Sequence, residues 1–103
     1  MMNLEEPDKE IRLFVDDERD PQDYGLDGWI VARTSVDAIR TLKNRNVVEC
    51  TLDHDLGGKD SGYLVVLWME AHNRWPRDGV RCHSMNPVGR TRILAAIEAA
   101  ERR

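Results

Sequence analysis

The sequence is short of several things that specialised protein classes require. Of its 103 residues only two are cysteine, one is phenylalanine and four are proline. Cys50 and Cys82 each lie inside an apolar run and form no CxxC pair, which excludes a disulfide framework. Two buried, reduced thiols are expected instead, and they fit a reducing cytoplasm. No run approaches the roughly 20 apolar residues that a membrane span needs. There is no surplus of positive charge. Fifteen Lys and Arg stand against 19 Asp and Glu, a net of -4. A general nucleic-acid binder must neutralise phosphates with Lys and Arg, so bulk nucleic-acid binding is not expected. One nucleotide in a local pocket remains compatible with that charge. Residues 1–10 are acidic and hold no apolar stretch, unlike a signal peptide. Internal repeats and low-complexity linkers are missing too.

What is present has the length of one domain, with a hydrophobic share of 41%. Residues 1–10 read as an acidic N-terminal segment and residues 11–103 as the folded domain. Short β-like runs alternate with helical ones. Strands are expected over residues 11–15, 29–32, 47–52 and 80–83. Helices are expected from Ser35 to about residue 43, over about 63–74 and over 91–101. Val36, Ile39 and Leu42 mark the inner face of the first helix. Leu64, Leu67, Trp68 and Ala71 mark that of the second, and Ile93, Leu94 and Ile97 that of the third. Trp29, Trp68 and Trp75 are expected in the core. Residues 18–28 carry Pro21, Gly25 and Gly28 and read as loop. Alternating strands and helices imply right-handed crossovers and a parallel sheet of four strands, and in the order 2-1-3-4 its first, third and fourth strands would be adjacent. The three helices follow the second, third and fourth strands and are expected on one face. An apolar sheet face left uncovered would be a partner surface, so a homodimer through it is expected. In the alternative, the N-terminal segment and the 18–28 loop fold over it.

In parallel sheets, ligands bind beyond the carboxyl ends of the strands. Three strand ends here carry polar residues that a core would reject. They are Asp16 and Asp17, then Asp53, His54 and Asp55, then His83 and Ser84. Carboxylates this close need compensation, and a hard divalent cation, Mg²⁺ or Mn²⁺, suits their oxygens. Asp16, Asp17, Asp53 and Asp55 are therefore the candidate metal ligands. His83 is expected to face the same crevice, and His54 is the weaker candidate for acid–base work. His72, mid-helix, reads as a surface residue. The turn from Ser84 through Asn86 to Gly89 runs into a helix, whose free N–H groups attract anions. Arg19 offers a further phosphate contact. Lys59, Arg90 and Arg92 read as solvated charges.

These residues resemble a receiver domain, the phosphoacceptor fold of two-component signalling. Asp16 and Asp17 match its Mg²⁺-holding acidic pair, Asp53 its phosphoacceptor position and Ser84 its hydroxyl residue. The likeness runs from Ile11 to Glu101. It implies a flavodoxin-like or receiver-like α/β fold, three-layered or open-faced, with the first and last receiver helices reduced or absent. The lysine that a receiver carries on a fifth strand has no counterpart. His54, Asp55, His83 and Asn86 are not receiver signatures. The runs at residues 13–19, 52–57 and 83–89, with LFVDDxR, LDHDLG and HSxNPxG, are similar to the derived cyclic-phosphate processing receiver domains. That resemblance implies metal-dependent hydrolysis of a cyclic phosphate, of nucleotide or ADP-ribose type and related to RNA repair. Asp53, His54 and His83 would be its catalytic residues, and Ser84, Asn86, Gly89 and Arg19 would hold phosphate. The alternatives are a non-catalytic phosphate- or nucleotide-binding module and a protein-interaction module derived from a receiver.

Overall fold

The computed structural model describes residues 8–102. Strand β1 (Glu10–Val15) is followed by a 3₁₀ turn (Pro21–Tyr24), β2 (Ile30–Ala32), α1 (Ser35–Asn44), β3 (Asn46–Leu52), α2 (Gly62–His72), β4 (Val80–Cys82) and α3 (Pro87–Glu101). The strands form one parallel sheet in the order β2-β1-β3-β4. This is the expected receiver-like α/β arrangement. The single turn Pro21–Tyr24 stands where a first covering helix would lie. Most of residues 1–10, the expected acidic segment, falls outside the described residues.

The helices form a single layer, α1 beside α2 and α2 beside α3. Under them lies a core of Ile11, Leu13, Val15, Cys50, Leu52, Val65, Met69 and Ile93. Alternate residues of β1 and β3 enter this core because side chains switch faces at each strand residue. Burial raises the Cys50 and Cys82 thiols above their ordinary pKa, and both cysteines are free and buried.

Three element readings change. The cap of α1 is Thr34, not Ser35: the Thr34 side chain accepts from Asp37 N–H at 3.1 Å. Helix α3 begins at Pro87, so Pro87 to Gly89 form its first turn, where proline's missing N–H costs nothing. The inner faces of α1 and α2 are also rotated. Val36 is 62% exposed while Ala38 and Leu42 are buried. Leu64 and Leu67 are half-exposed while Val65, Val66 and Met69 are buried. Residues 62–69 are almost uniformly non-polar, so periodicity alone cannot choose a face there. The three tryptophans are half-buried rather than within the core, and Trp68 and Trp75 pack against it.

The second sheet face is not bare and apolar. Phe14, fully buried, lies under Tyr24 with ring centroids 5.8 Å apart, and Pro21, in the same turn as Tyr24, is buried. The rest of that face carries charge. Glu49, only 7% exposed, pairs with Arg12 at 3.0 Å and with Arg81. The 18–28 loop thus supplies the cover, and the apolar patch from which a homodimer was expected is missing among the described residues.

Candidate functional site

The carboxyl ends of β1, β3 and β4 open into one cleft of about 290 Å³. Asp16, Asp17, Glu18, Arg19, Asp53, Asp55, Gly57, Met85 and Asn86 line it. One carboxylate oxygen from each of Asp16, Asp17 and Asp53 lies within 4.8 Å of the others. The sheet order makes this possible, since β1 and β3 are neighbours and Asp53 N–H donates to Val15 C=O at 2.8 Å.

Asp16 is the most constrained of the group, with 1% exposure. Its Oδ1 accepts from the backbone N–H groups of Glu18 and Arg19 at 2.9 and 3.0 Å. Its Oδ2 meets His83 Nε2 at 3.0 Å. Burial acts most strongly on this carboxyl and pushes its pKa up. The two backbone donors and the His83 contact together outweigh burial and leave it below the usual value.

His83 does not line the cleft, contrary to its expected place. It follows β4 directly, and its ring turns to the sheet face opposite the helices. There it stacks on Phe14 at 4.6 Å and lies 5.1 Å from Tyr24. An ionised Asp16 only accepts, so Nε2 carries the proton. In the neutral ring Nδ1 then accepts from Thr51 Oγ1–H, 2.9 Å away. His83 therefore orients Asp16 from behind.

His54 has a parallel arrangement. Its Nδ1 donates to Asp55 Oδ1 at 3.0 Å, and the ring is mostly buried. The His54 hydrogen bond, then that of Asn86, holds the Asp55 carboxyl below its ordinary pKa. Asp55 itself is 64% exposed in its side chain and faces the cleft. The ring rests against α3 at Gly89, where an added Cβ would sit 2.2 Å from His54 Cγ. Gly89 is thus a contact for His54, and its N–H is occupied by Asn86 Oδ1 at 3.1 Å. It is not free to hold phosphate.

Asn86 caps α3 and also donates to Asp55 Oδ2 at 3.2 Å. Ser84 is buried, and its Oγ accepts from Asn86 N–H at 3.1 Å. It shapes the turn and does not line the cleft. Arg19 lines the cleft, with Nη1 3.3 Å from the Tyr24 hydroxyl. Arg90 and Arg92 are held elsewhere, on Cys82 C=O at 2.7 Å and over the Tyr63 ring at 4.4 Å. His72 is exposed at the end of α2.

Sequence reasoning missed Thr51, Phe14 and Tyr24, which frame His83, and Asp60. Asp60 Oδ2 accepts from Ser35 N–H at 2.9 Å and ties the cleft loop to α1. An Asp directly before the Ser61 that caps α2 was the available signal. Thr51 was readable only as a β-branched strand residue.

A parallel sheet carrying an acidic cluster of this kind at its carboxyl edge defines a receiver-type domain. The protein belongs to the cyclic-phosphate processing receiver domain family, whose pattern matches residues 11–99. No curated protein and no solved structure gives a significant match. The carboxylate-only donor set of Asp16, Asp17 and Asp53 fits a hard divalent cation.

Proposed function

We propose that the domain hydrolyses a cyclic phosphate of nucleotide or ADP-ribose type with the help of Mg²⁺ or Mn²⁺. The observation that carries this reading is one cleft lined by the Asp16, Asp17 and Asp53 cluster and by Asp55, with His54 hydrogen-bonded to Asp55 from behind. Water adds to phosphorus, one ring P–O bond breaks, and a phosphomonoester and a free hydroxyl result. A divalent ion held by Asp16, Asp17 and Asp53 would neutralise phosphate charge and acidify bound water.

The chain's own groups do the rest. Asp55 holds His54 in the Nδ1–H tautomer, which leaves the Nε2 lone pair to accept a proton. Arg19 and the Asn86 amide are the cleft groups that can donate to phosphate oxygens. The backbone N–H groups of Arg19 and Glu18, with His83 behind them, keep Asp16 ionised and fixed. Buried thiols fit a reducing, cytoplasmic setting.

A second reading has its own observation: neither histidine ring lines the cleft, so the domain would bind a phosphate or nucleotide without turnover. A turnover screen separates the two. With Mg²⁺ or Mn²⁺, 2′,3′-cyclic nucleotides and ADP-ribose cyclic phosphate are offered to the wild type, Asp53→Asn and His54→Ala. The expected result is turnover that falls by about 10²-fold or more in each variant. Binding of these ligands without turnover by the wild type would establish the second reading instead.

A further inference from the structure

A second cavity, of about 320 Å³, opens at the other end of the sheet. Its walls are the end of α1, the start of β3 and the turn after α2. Strand β3 joins the two sites. From Val47 on the cavity wall to Asp53 in the cleft is about 20 Å at ~3.3 Å per residue. This cavity differs in charge from the first. Its lining includes Arg45, Arg74 and Arg77 and no carboxylate, in a chain of net charge -4.

The three arginines are not equivalent. Arg77 is neutralised by Glu10 at 2.9 Å and Asp78 at 3.1 Å. Arg74 donates to Leu42 C=O at 2.8 Å and lies over the Trp68 ring at 5.8 Å, so no carboxylate among the described residues meets its charge. Arg45 has no salt-bridge partner among the described residues, and its Nε is buried with no hydrogen-bond partner. The carbonyl ends of α1 and α2 explain why cations gather here. They do not neutralise Arg45, whose charge meets no carboxylate among the described residues and lies on the wall of a cavity that an anion could enter. Trp75 adds a half-buried ring to the wall, and the Asn73 amide lies beside it. The volume lies within the range of small-molecule pockets.

We infer that this basal cavity binds a phosphate monoester carrying a planar ring, a nucleoside monophosphate by class. The phosphate sits on Arg45 and Arg74, and the ring lies against Trp75. This site is separate from the acidic cleft and stands without the proposed hydrolysis. A rival anion lies within the chain: Glu5 and Glu6 precede Asp8, whose C=O accepts from Asn46 Nδ2 at 3.1 Å on the cavity wall.

Two-dimensional NMR of the full chain, titrated with AMP in the absence of divalent ions, tests the inference. Saturable shifts are expected at the Trp75 indole and Asn73 side-chain amide resonances. Affinity should fall about tenfold in Arg45→Met and in Arg74→Met, the loss of one charge-assisted contact. Asp53→Asn should leave it unchanged. The same spectra report whether each variant is folded. Absence of saturable shifts at these resonances overturns the site, as does equal affinity in both arginine variants. Binding that emerges only in a Glu5→Gln, Glu6→Gln double variant assigns the cavity to the chain's own carboxylates and overturns the ligand.

Discussion

At the scale of single residues, two of the three histidines each stand behind an aspartate. His83 backs Asp16 and His54 backs Asp55. His83→Ala would remove a donor from a buried carboxylate and leave Thr51 Oγ1 without its partner. The expected loss is about 1–3 kcal/mol of stability, measured by urea unfolding, together with weaker Mg²⁺ binding. Retention of both would show that the His83 contacts are idle. The pH dependence follows from Asp16. Its folded pKa lies below the unfolded value of about 3.9. The stabilisation is thus fully present above that unfolded value and is lost as pH falls through the depressed folded pKa. Asp16→Asn should remove this part of the acid-unfolding transition, read by circular dichroism between neutral pH and acid. Asp17 has no hydrogen bond among the described residues, yet shares the 4.8 Å cluster. Neutralising it in Asp17→Asn should raise the melting temperature of the ion-free protein and abolish the further rise on adding Mg²⁺. A lower melting temperature in ion-free buffer would contradict repulsion within the cluster.

At the scale of elements, two glycines set how closely helices approach the site. A Cβ on Gly62 would stand 2.1 Å from Asp53 C=O, where α2 begins. Backbone cannot move aside as a long side chain can, so Gly62→Ala should cost about 1–3 kcal/mol, the range of overpacking. Gly89→Ala would drive the His54 ring from α3 and break its bond to Asp55. Its chemical shift, followed by NMR, should move toward that of an exposed imidazole. The order of elements was legible because strands and helices alternate and glycines and prolines punctuate them. Helix faces were not. The run from Gly62 to Met69 is apolar all round, and only contact with the sheet selects Val65, Val66 and Met69. The strand faces were readable at the core but not beyond it. Phe14 was legible only as part of the first strand, yet it faces the side opposite the helices and serves as the platform for His83.

At the scale of the whole molecule, a divalent ion bridging β1 and β3 should stabilise the fold. Binding to the native state alone adds about 2.7 kcal/mol at a hundredfold excess over Kd. With 4–8 °C per kcal/mol for a domain of this size, the melting temperature should rise by roughly 10–20 °C under saturating Mg²⁺ or Mn²⁺. Asp53→Asn should blunt this rise. An unshifted melting curve would argue that the acidic cluster holds no ion. Charge is also distributed by topology. Acidic groups gather at the carboxyl edge of the sheet and arginines at the opposite end, a polarity that the net charge of -4 conceals. Along the second sheet face, the Arg12–Glu49–Arg81 row replaces the apolar patch that a partner would bury.

Alternating elements and polar residues at strand ends are local signals, and they sufficed to read a parallel sheet with Asp16, Asp17 and Asp53 at its carboxyl edge. The strand order came with the receiver resemblance. Which groups face the cleft and which stand behind it emerges only on folding. The direction of a side chain at the end of a strand depends on twist and on what packs against it. His83 thus lies under Tyr24 rather than in the crevice, Gly89 is a contact for His54, and Ser84 belongs to the turn. The acidic cluster was readable residue by residue. The Phe14, Tyr24 and Thr51 frame that holds His83 against Asp16 arises from β1, β3 and a loop that meet only on folding.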